Sequence, residues 1–254
     1  MSTSTLPLAG KVALITGSSK GIGASIAKRL ASDGASVVVN YVRSSGAAEE
    51  IVNTINTQGT GKAIAVKADV SSISEGKRLL DETVKAFGKI DILILNAGLM
   101  YNGQLADIDE KQFDEQFQVN VKVPLFMTQA AAPLMTAGGR IIFFSTSITK
   151  NTQVPPNYLV YAAAKGAVQQ IVRVLSKDLG AKGLTVNAIA PGPVDTDLFN
   201  NGKSEQLIQF FANMHPQKRI PSPDEISPIA AFLARDESGW VNGQTIFVNG
   251  GFNV

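Results

Sequence analysis

The sequence predicts a doubly wound α/β fold in which seven parallel strands form one sheet flanked by helices. Strand-like apolar segments alternate with helix-like segments along the whole chain. Most of the strand-like segments are rich in Val and Ile and do not alternate with polar residues, as expected of parallel strands covered on both faces. No linker, internal repeat or low-complexity stretch interrupts this order. We therefore expect residues 1–254 to form a single domain with right-handed crossovers.

Seven segments carry the strand prediction. They are Lys11–Thr16, Ser36–Asn40, Lys62–Lys67, Ile90–Asn96, Arg140–Ser145, Thr185–Ala190 and Thr245–Asn249. Two of the helix-like segments between them end at Gly34 and Gly59. A glycine just past a helix fits a left-handed cap, so these two positions predict helix ends.

The composition narrows the classes of function. Hydrophobic residues make up 44% of the 254 residues, and the net charge is +2 without runs of like charge, so neither nucleic acid nor an anionic membrane is indicated as a partner. The absence of cysteine excludes disulfides and thiolate catalysis, and with His215 as the only histidine we expect no metal site. The opening MSTSTLPLAGK lacks the features of a signal peptide, and the apolar run VPLFMTQAAAPLM is too short to span a bilayer. We expect a cytoplasmic protein that acts on a small molecule.

A glycine-rich turn, TGSSKGIG, follows the first predicted strand and opens the first helix. Glycines let the backbone turn tightly and approach a pyrophosphate, which then lies at the positive end of the helix. The spacing is G-x3-G-x-G rather than the general G-x-G-x-x-G. A glycine-rich segment of this kind can also be a tight turn that binds no ligand. Its place between a strand and a helix favours nucleotide binding. The residues expected at the cofactor are Gly17, Ser19, Lys20, Gly21, Ile22 and Gly23.

The end of the second strand indicates which cofactor binds. Proteins that bind NAD tend to place Asp or Glu there, where it accepts hydrogen bonds from the ribose hydroxyls. This chain has Asn40, which does not repel a 2′-phosphate, and Arg43, which can bind one with charge assistance, while Lys20 adds a second positive charge. The alternative is that Arg43 and Lys20 are ordinary surface charges. We predict NADP(H), held at this end by Asn40, Tyr41, Arg43 and Ser44.

The segment YAAAK places Tyr161 and Lys165 four residues apart at the start of a helix-like segment. This spacing puts both side chains on one helix face. A nearby ammonium favours the phenolate and lowers the tyrosine pKa from about 10, as a general acid/base at neutral pH requires. Taken alone, the Tyr-x-x-x-Lys spacing is common by accident.

Six motifs occur together in a fixed order: TGSSKGIG, NAG at residues 96–98, Asn120, Ser147, Tyr161 with Lys165, and PGPVDT at residues 191–196. This set resembles the short-chain dehydrogenase/reductase family, from KVALITG to the terminal VNGGF. The resemblance implies a Rossmann-type fold and an NADP(H)-dependent oxidoreductase that acts on carbonyl or CH–OH groups. Relatives of this kind are commonly homotetramers.

The resemblance also implies a role for each matching residue. Tyr161 matches the proton donor, Lys165 matches the lysine that holds the nicotinamide ribose, and Ser147 matches the serine that hydrogen-bonds the substrate oxygen. Asn120 matches the asparagine that anchors a water in the proton relay. The remaining cofactor-binding positions are Asp69 and Val70, then Asn96, Ala97 and Gly98, then Pro191, Gly192, Val194 and Thr196.

Three local ambiguities accompany these assignments. Ser147 stands at the family's distance before Tyr161, so Ser145 is interpreted as a strand-end residue. Tyr158 has Ala162 and not lysine four residues on, so it is interpreted as a pocket wall. Pro124 has no N–H to donate to the Asn120 carbonyl, which either frees that carbonyl for the family's water or merely kinks a long helix.

The predicted function is NADPH-dependent reduction of a hydrophobic ketone, the reverse oxidation being chemically possible. One alternative is a 3-oxoacyl-carrier-protein reductase; of the two basic docking positions expected for that activity, one is Ala137 and the other is matched by Lys182. The other alternative is a non-catalytic NADP(H)-binding sensor, which would have no need of the tyrosine and lysine pair.

Mostly apolar residues are expected to form the substrate pocket, with no base except Lys150 nearby, although Phe210 and Phe211 could instead lie in the core or an interface. The predicted walls are Met100, Tyr101, Val154, Pro155, Tyr158, Leu198, Phe199, Phe210, Phe211 and Met214.

The chain ends in SGWVNGQTIFVNGGFNV, an apolar strand and a glycine-rich tail. Such ends often pack between subunits or close a sheet edge, and we expect a homotetramer.

Overall fold

The computed structural model of the protein describes residues 6–254, so the first part of the N-terminal segment considered for a signal peptide, residues 1–5, lies outside the described residues. Seven strands form one sheet in the order β3-β2-β1-β4-β5-β6-β7, and every neighbouring pair is parallel. The strands are β1 (Val12–Ile15), β2 (Ser36–Tyr41), β3 (Lys62–Lys67), β4 (Ile92–Leu95), β5 (Arg140–Phe144), β6 (Thr185–Pro191) and β7 (Thr245–Val248). The predicted fold class is confirmed, and the strand ends differ from the predicted ones by at most two residues.

The helices alternate with the strands. They are α1 (Gly21–Ser32), α2 (Ser45–Gln58), α3 (Ile73–Phe87), α4 (Glu110–Phe117), α5 (Val123–Ala131), α6 (Leu159–Gly180), α7 (Asp197–Asn200), α8 (Glu205–Met214) and α9 (Ser227–Ala234). Both predicted glycine helix ends are confirmed. Gly59 caps α2 with φ +74°, and Gly34 follows the end of α1 with φ +101°. These are left-handed conformations that favour glycine.

The sheet buries both of its faces, because successive residues of a strand point to opposite sides. Ala13 and Ile15 of β1 belong to the apolar cluster that includes residues of α1, α2 and α9. Leu14, between them, belongs to the second cluster, with residues of α3, α5 and α6. Helices therefore cover the sheet on two sides, which explains why the strands are apolar without alternation.

The winding of the sheet changes direction at β1, which pairs with β2 on one side and β4 on the other. In open parallel sheets, a crevice forms at this point outside the carboxyl ends of the strands and binds ligands. The glycine-rich turn after β1, the NAG segment after β4 and the Ser147 turn after β5 all follow carboxyl ends. The fold therefore places these sequence motifs at the same edge of the sheet, where the strands have their carboxyl ends.

None of the helices between residues 6 and 254 is both long and apolar enough to cross a membrane. In the same range, no three side chains of His, Asp or Glu come together in a way that could hold a metal ion.

Candidate active site

The three glycines of the glycine-rich turn stand where a side chain would be strained or would clash. Gly17 and Gly21 have φ values of +61° and +55°. A Cβ on Gly23 would lie 2.6 Å from both the Asn96 Nδ2 and the Gly17 carbonyl oxygen, closer than atoms can approach. Lys20 precedes α1 without a side-chain capping hydrogen bond. The first amides of that helix therefore have no side-chain cap, which is the usual arrangement where a phosphate binds.

The role expected of Asn40 needs correction. Its side chain is fully buried, and its Oδ1 accepts a hydrogen bond from the Gly17 N–H at 2.9 Å. Its Nδ2 donates to the carbonyls of Ala68 at 3.0 Å and Val66 at 3.3 Å. The amide is thus committed to backbone groups, and Asn40 braces the glycine-rich turn instead of contacting a ribose phosphate. It still contributes no negative charge at the end of β2.

The two basic residues expected near the cofactor phosphate lie in different surroundings. Arg43 is exposed beside Ser71 in an open groove and forms no ion pair within residues 6–254. Lys20 instead forms an ion pair of 3.2 Å with Asp197, the first residue of α7. Lys20 is therefore held towards the segment after β6, which leaves Arg43 as the unpaired cation at the end of β2.

The other residues predicted at this end of the cofactor lie at or just after the carboxyl ends of β2 and β3. Tyr41 ends β2 half-buried, and Ser44 precedes α2. Asp69 is exposed and accepts a hydrogen bond from the Ser71 N–H at 3.0 Å, while Val70 is buried in the apolar core. Only Asp69 and Arg43 of these residues present charge to solvent here.

Asparagines join the loop after β4 to its surroundings. Asn96 Nδ2 donates to the carbonyls of Thr16 and Gly17, both at 3.0 Å, which ties the loop to the glycine-rich turn. Asn120 is buried and brackets Leu99: its Oδ1 accepts from the Leu99 N–H at 3.1 Å, and its Nδ2 donates to the Leu99 carbonyl at 2.7 Å. These bonds fix the course of Ala97 and Gly98 between the two asparagines.

Asn120 lies in a π-helical turn, Gln118–Lys122, between α4 and α5. The Val123 N–H donates to the Gln118 carbonyl five residues back. The next residue, Pro124, cannot donate to the Asn120 carbonyl because it has no N–H. The helix therefore widens at Asn120, as π-turns often do at functional sites.

Helix α6 places Tyr161 and Lys165 on one face. Lys165 is 4% exposed, and its Nζ donates to the Phe144 carbonyl at the end of β5 at 2.9 Å. The Lys165 Nζ lies 5.9 Å from the centroid of the Tyr161 ring. The predicted pair is thus brought together, anchored by its lysine to the sheet.

The expected lowering of the tyrosine pKa is not found. Burial raises the pKa of Tyr161 to about 12, against a smaller lowering by its hydrogen bond to the Thr146 side chain. Burial also lowers the pKa of Lys165 to about 8. The prediction was wrong because loss of solvent around the phenol outweighs the hydrogen bond that favours its ionised form. At neutral pH Tyr161 therefore carries its proton and Lys165 is mostly charged.

Both serines that follow β5, Ser145 and Ser147, line the cavity that Tyr161 lines, and the hydroxyl of Ser145 is bonded within the fold. Ser145 Oγ donates to the Lys165 carbonyl at 3.0 Å and accepts from Gln169 Nε2 at 3.0 Å, which agrees with its interpretation as a structural residue. Ser147 begins a short 3-10 turn and lines the same cavity as Tyr161. Thr146, which the sequence analysis did not assign to the site, also lines the cavity.

A cavity of about 390 Å³ extends from these residues to α7 and α8. Of the predicted walls, eight line it: Met100, Pro155, Tyr158, Leu198, Phe199, Phe210, Phe211 and Met214. The four predicted positions of PGPVDT line it as well: Pro191, Gly192, Val194 and Thr196. Phe199, Phe210 and Phe211 form edge-to-face contacts, with centroids 5.5 and 5.9 Å apart. The walls are mostly apolar, as expected.

Three expectations about the walls were wrong. The Tyr101 hydroxyl donates to the Glu115 carboxylate at 2.8 Å and lines the groove beside Arg43 instead. Val154 is exposed and does not line the cavity. Lys203 does line it, although no base was expected, while Lys150 lies outside it with its Nζ 4.4 Å from the Phe247 ring centroid.

The C-terminal tail was missed as part of the site. Phe252 lines the cavity and packs against His215, with ring centroids 4.7 Å apart. Asn253 Nδ2 donates to the Ser147 carbonyl at 2.7 Å. Nothing in the local sequence joins residues 106 positions apart, so only the folded chain shows that the tail supports the serine turn.

Two further glycines keep room for a ligand in the crevice. A Cβ on Gly21 would lie 3.2 Å from the Thr196 Cγ2, so glycine keeps the space between α1 and the segment after β6. A Cβ on Gly98 would lie 3.3 Å from the Asn120 Oδ1 and 3.6 Å from the Lys165 Nζ. Glycine thus leaves the Lys165 ammonium accessible to a ligand hydroxyl. The crevice runs from these glycines to the cavity that Tyr161 lines.

Comparison with known proteins identifies relatives that match nearly the whole chain. A family model described as enoyl-(acyl carrier protein) reductase matches residues 17–253. The short chain dehydrogenase/reductase AacuN of Aspergillus aculeatus is 43% identical, over 99% of this chain and 99% of that protein. A probable tetrahydroxynaphthalene reductase of Zymoseptoria tritici is 39% identical, over 97% of this chain and 96% of that protein.

A solved structure agrees with this result. A short chain dehydrogenase from Burkholderia cenocepacia, in complex with NADP, superposes with a TM-score of 0.91. It is 35% identical, and the match covers 98% of this chain and 100% of that chain.

Proposed function

Because this chain belongs to the short-chain dehydrogenase/reductase family and is an NADP(H)-dependent oxidoreductase of carbonyl or CH–OH groups, we propose that it reduces hydrophobic ketones with Tyr161 as the proton donor. One observation carries this proposal. Tyr161 lines a largely apolar cavity together with Ser147, and the Lys165 Nζ lies 5.9 Å from the centroid of its ring. A proton donor, a second hydroxyl and a cation thus meet at one place where a substrate oxygen can bind.

The chain's own residues divide the binding work. The glycine-rich turn and the uncapped start of α1 bind the pyrophosphate of NADPH, and Arg43 binds the 2′-phosphate. Lys165 uses one of its three N–H donors on the Phe144 carbonyl, which leaves two for the nicotinamide ribose and a water. NADPH bound in this way would supply the hydride for the carbonyl carbon.

Ser147 and Tyr161 act on the substrate oxygen. Both donate hydrogen bonds to it, so they stabilise the negative charge that develops there as the carbonyl is reduced. Tyr161 then passes its proton to that oxygen. The Lys165 ammonium near the ring stabilises the phenolate left behind, and water held by the Asn120 backbone returns a proton to it.

The cavity walls support a hydrophobic substrate. An apolar cavity with a few polar groups suits a ligand anchored mainly through its carbonyl. The relative named as a tetrahydroxynaphthalene reductase is a reductase of a bicyclic aromatic compound. We therefore place aromatic and cyclic ketones ahead of sugars as substrates.

The main rival is reduction of a 3-oxoacyl thioester on an acidic carrier protein. Of the exposed docking positions, Lys182 carries a charge and Ala137 does not, and nearby Arg140 is buried. The structure therefore presents half of the expected basic pair. The same NADPH oxidation assay with a 3-oxoacyl thioester distinguishes the two functions.

Arg43→Ala tests the cofactor-binding role. We expect the dissociation constant for NADPH to rise about tenfold or more, because the variant loses a hydrogen bond to a charged group, while that for NADH changes little. Isothermal titration calorimetry measures both constants. Lys62→Ala, which removes an exposed charge from β3, is the control. Equal effects on NADPH and NADH would contradict the role of Arg43.

Tyr161→Phe tests the proton donor. The ring stays but its proton is lost, so we expect kcat for ketone reduction to fall by about 100-fold or more, with little change in NADPH affinity. Tyr158→Phe removes the other tyrosine hydroxyl of the same cavity and should cost much less. The opposite ranking of the two variants would show that Tyr158 is the donor.

The substrate class is tested by comparing kcat/KM for a bicyclic aromatic ketone and a free sugar of similar size. We expect the ketone to be favoured at least about tenfold, because burial of apolar surface contributes about 25 cal/mol per Å². The rate of NADPH oxidation measures both. A higher kcat/KM for the sugar would contradict the proposed specificity.

We also propose that the chain assembles as a homotetramer. Trp240 is fully exposed, and β7 lies at the edge of the sheet, so the C-terminal segment presents apolar surface and an unpaired strand edge. Light scattering should give a mass well above the 26.8 kDa of one chain, and Trp240→Arg should lower it. A monomeric mass for the unaltered protein at micromolar concentration would refute the assembly.

A further inference from the structure

Lys203 is a cation in the wall of an otherwise apolar part of the cavity. It is half-buried between α7 and α8, and its Nζ donates to the Phe199 carbonyl. The same Nζ lies 4.8 Å from the centroid of the Phe199 ring. No Asp or Glu lines the cavity, and Lys203 forms no ion pair with any residue in the described range 6–254.

This environment leaves the charge incompletely compensated. An ammonium has three N–H donors, and the protein satisfies one of them. Burial lowers the pKa of Lys203, which shows that its surroundings oppose the charge. A buried charge is stabilised by an opposite charge that also accepts hydrogen bonds. Since the protein provides no such partner, a ligand can provide it.

The neighbouring residues indicate what kind of ligand fits. Phe199 contacts Lys203, and Phe210 and Phe211 line the same cavity, where the three rings offer faces and edges to a flat aromatic ligand. The other lysine in the cavity wall, Lys165, is bonded to the Phe144 carbonyl and lies beside Tyr161. Lys203 is therefore the cation placed among the aromatic walls.

We propose that Lys203 determines specificity by binding an acidic oxygen of an aromatic substrate, separate from the carbonyl that is reduced. The chemical class is an aromatic ketone that also carries a phenolate, enolate or carboxylate oxygen. This proposal rests on the proposed ketone reduction and narrows it. It also replaces the expectation that the pocket offers no base to a charged substrate.

The test uses ligands without a reducible carbonyl, so that binding is read without turnover. The protein is saturated with NADP⁺ and titrated calorimetrically with 2-naphthoate, 2-naphthol and 2-methoxynaphthalene. We expect naphthoate or naphthol to bind at least about tenfold more tightly than the methyl ether, because a hydrogen bond to a charged group is gained. Whichever of the two shows the gain identifies carboxylate or phenol as the preferred group.

Variants assign the gain to Lys203. Lys203→Met keeps an apolar stem against Phe199 and should abolish the preference, whereas Lys203→Arg should retain it. Lys150→Met is the matched control, since Lys150 also lies over a phenylalanine ring but outside the cavity, and it should leave the preference unchanged. The NADP⁺ dissociation constant and the melting temperature of each variant are measured to show that folding and cofactor binding survive.

Two results would overturn the proposal: an undiminished preference in Lys203→Met, or no preference for the acidic ligands in the unaltered protein. Oxidation of NADPH by the unaltered protein with a neutral bicyclic ketone is measured separately. Failure of that reaction would refute ketone reduction, while the titrations would still report whether Lys203 binds an acidic oxygen.

Discussion

The whole site depends on two reciprocal hydrogen bonds between α6 and the end of β5. Lys165 Nζ donates to the Phe144 carbonyl at 2.9 Å, and Ser145 Oγ donates to the Lys165 carbonyl at 3.0 Å. Because all of these groups are buried, breaking either bond would leave polar atoms without water. The pair therefore locks the helix that carries Tyr161 against the strand that leads to Ser147, and the proton donor and the serine come to line one cavity.

Asparagine side chains hold the loops around this anchor. The side-chain amides of three asparagines, Asn40, Asn96 and Asn120, each form hydrogen bonds to the backbone of a different segment. An amide offers both donors and an acceptor, so one side chain can satisfy the N–H and the C=O of an irregular segment. A carboxylate at Asn40 could still accept from Gly17 but could not donate to the carbonyls of Val66 and Ala68. The residue that marks the cofactor preference is thus also a structural brace.

Several parts of the site followed from local sequence. Periodic patterns and near neighbours in the sequence can be recognised without a structure. They predicted the seven strands, the glycine helix ends, the order of the motifs and most of the apolar cavity walls. The choice of Ser147 over Ser145 depended on the family's distance before Tyr161. In the structure both serines line the cavity, but the Ser145 hydroxyl is bonded to Lys165 and Gln169. The features that could not be predicted depend on how deeply a side chain is buried in the fold. Burial reverses the expected direction of the Tyr161 pKa, and it withdraws Asn40 from the cofactor.

By itself, the sequence determined the parallel α/β fold, the nucleotide-binding turn and the Tyr161–Lys165 pair, because each is encoded within a short segment with its own steric or helical constraint. Only the tertiary structure decided that Lys203 enters the cavity, that Tyr101 leaves it, and that Asn253 reaches the Ser147 carbonyl. The Asn253 contact joins two segments that are far apart in the chain. Whether Lys203 or Tyr101 lines the cavity depends on the direction of its loop, which local sequence does not specify. Their position follows from how whole layers pack, which no short segment encodes.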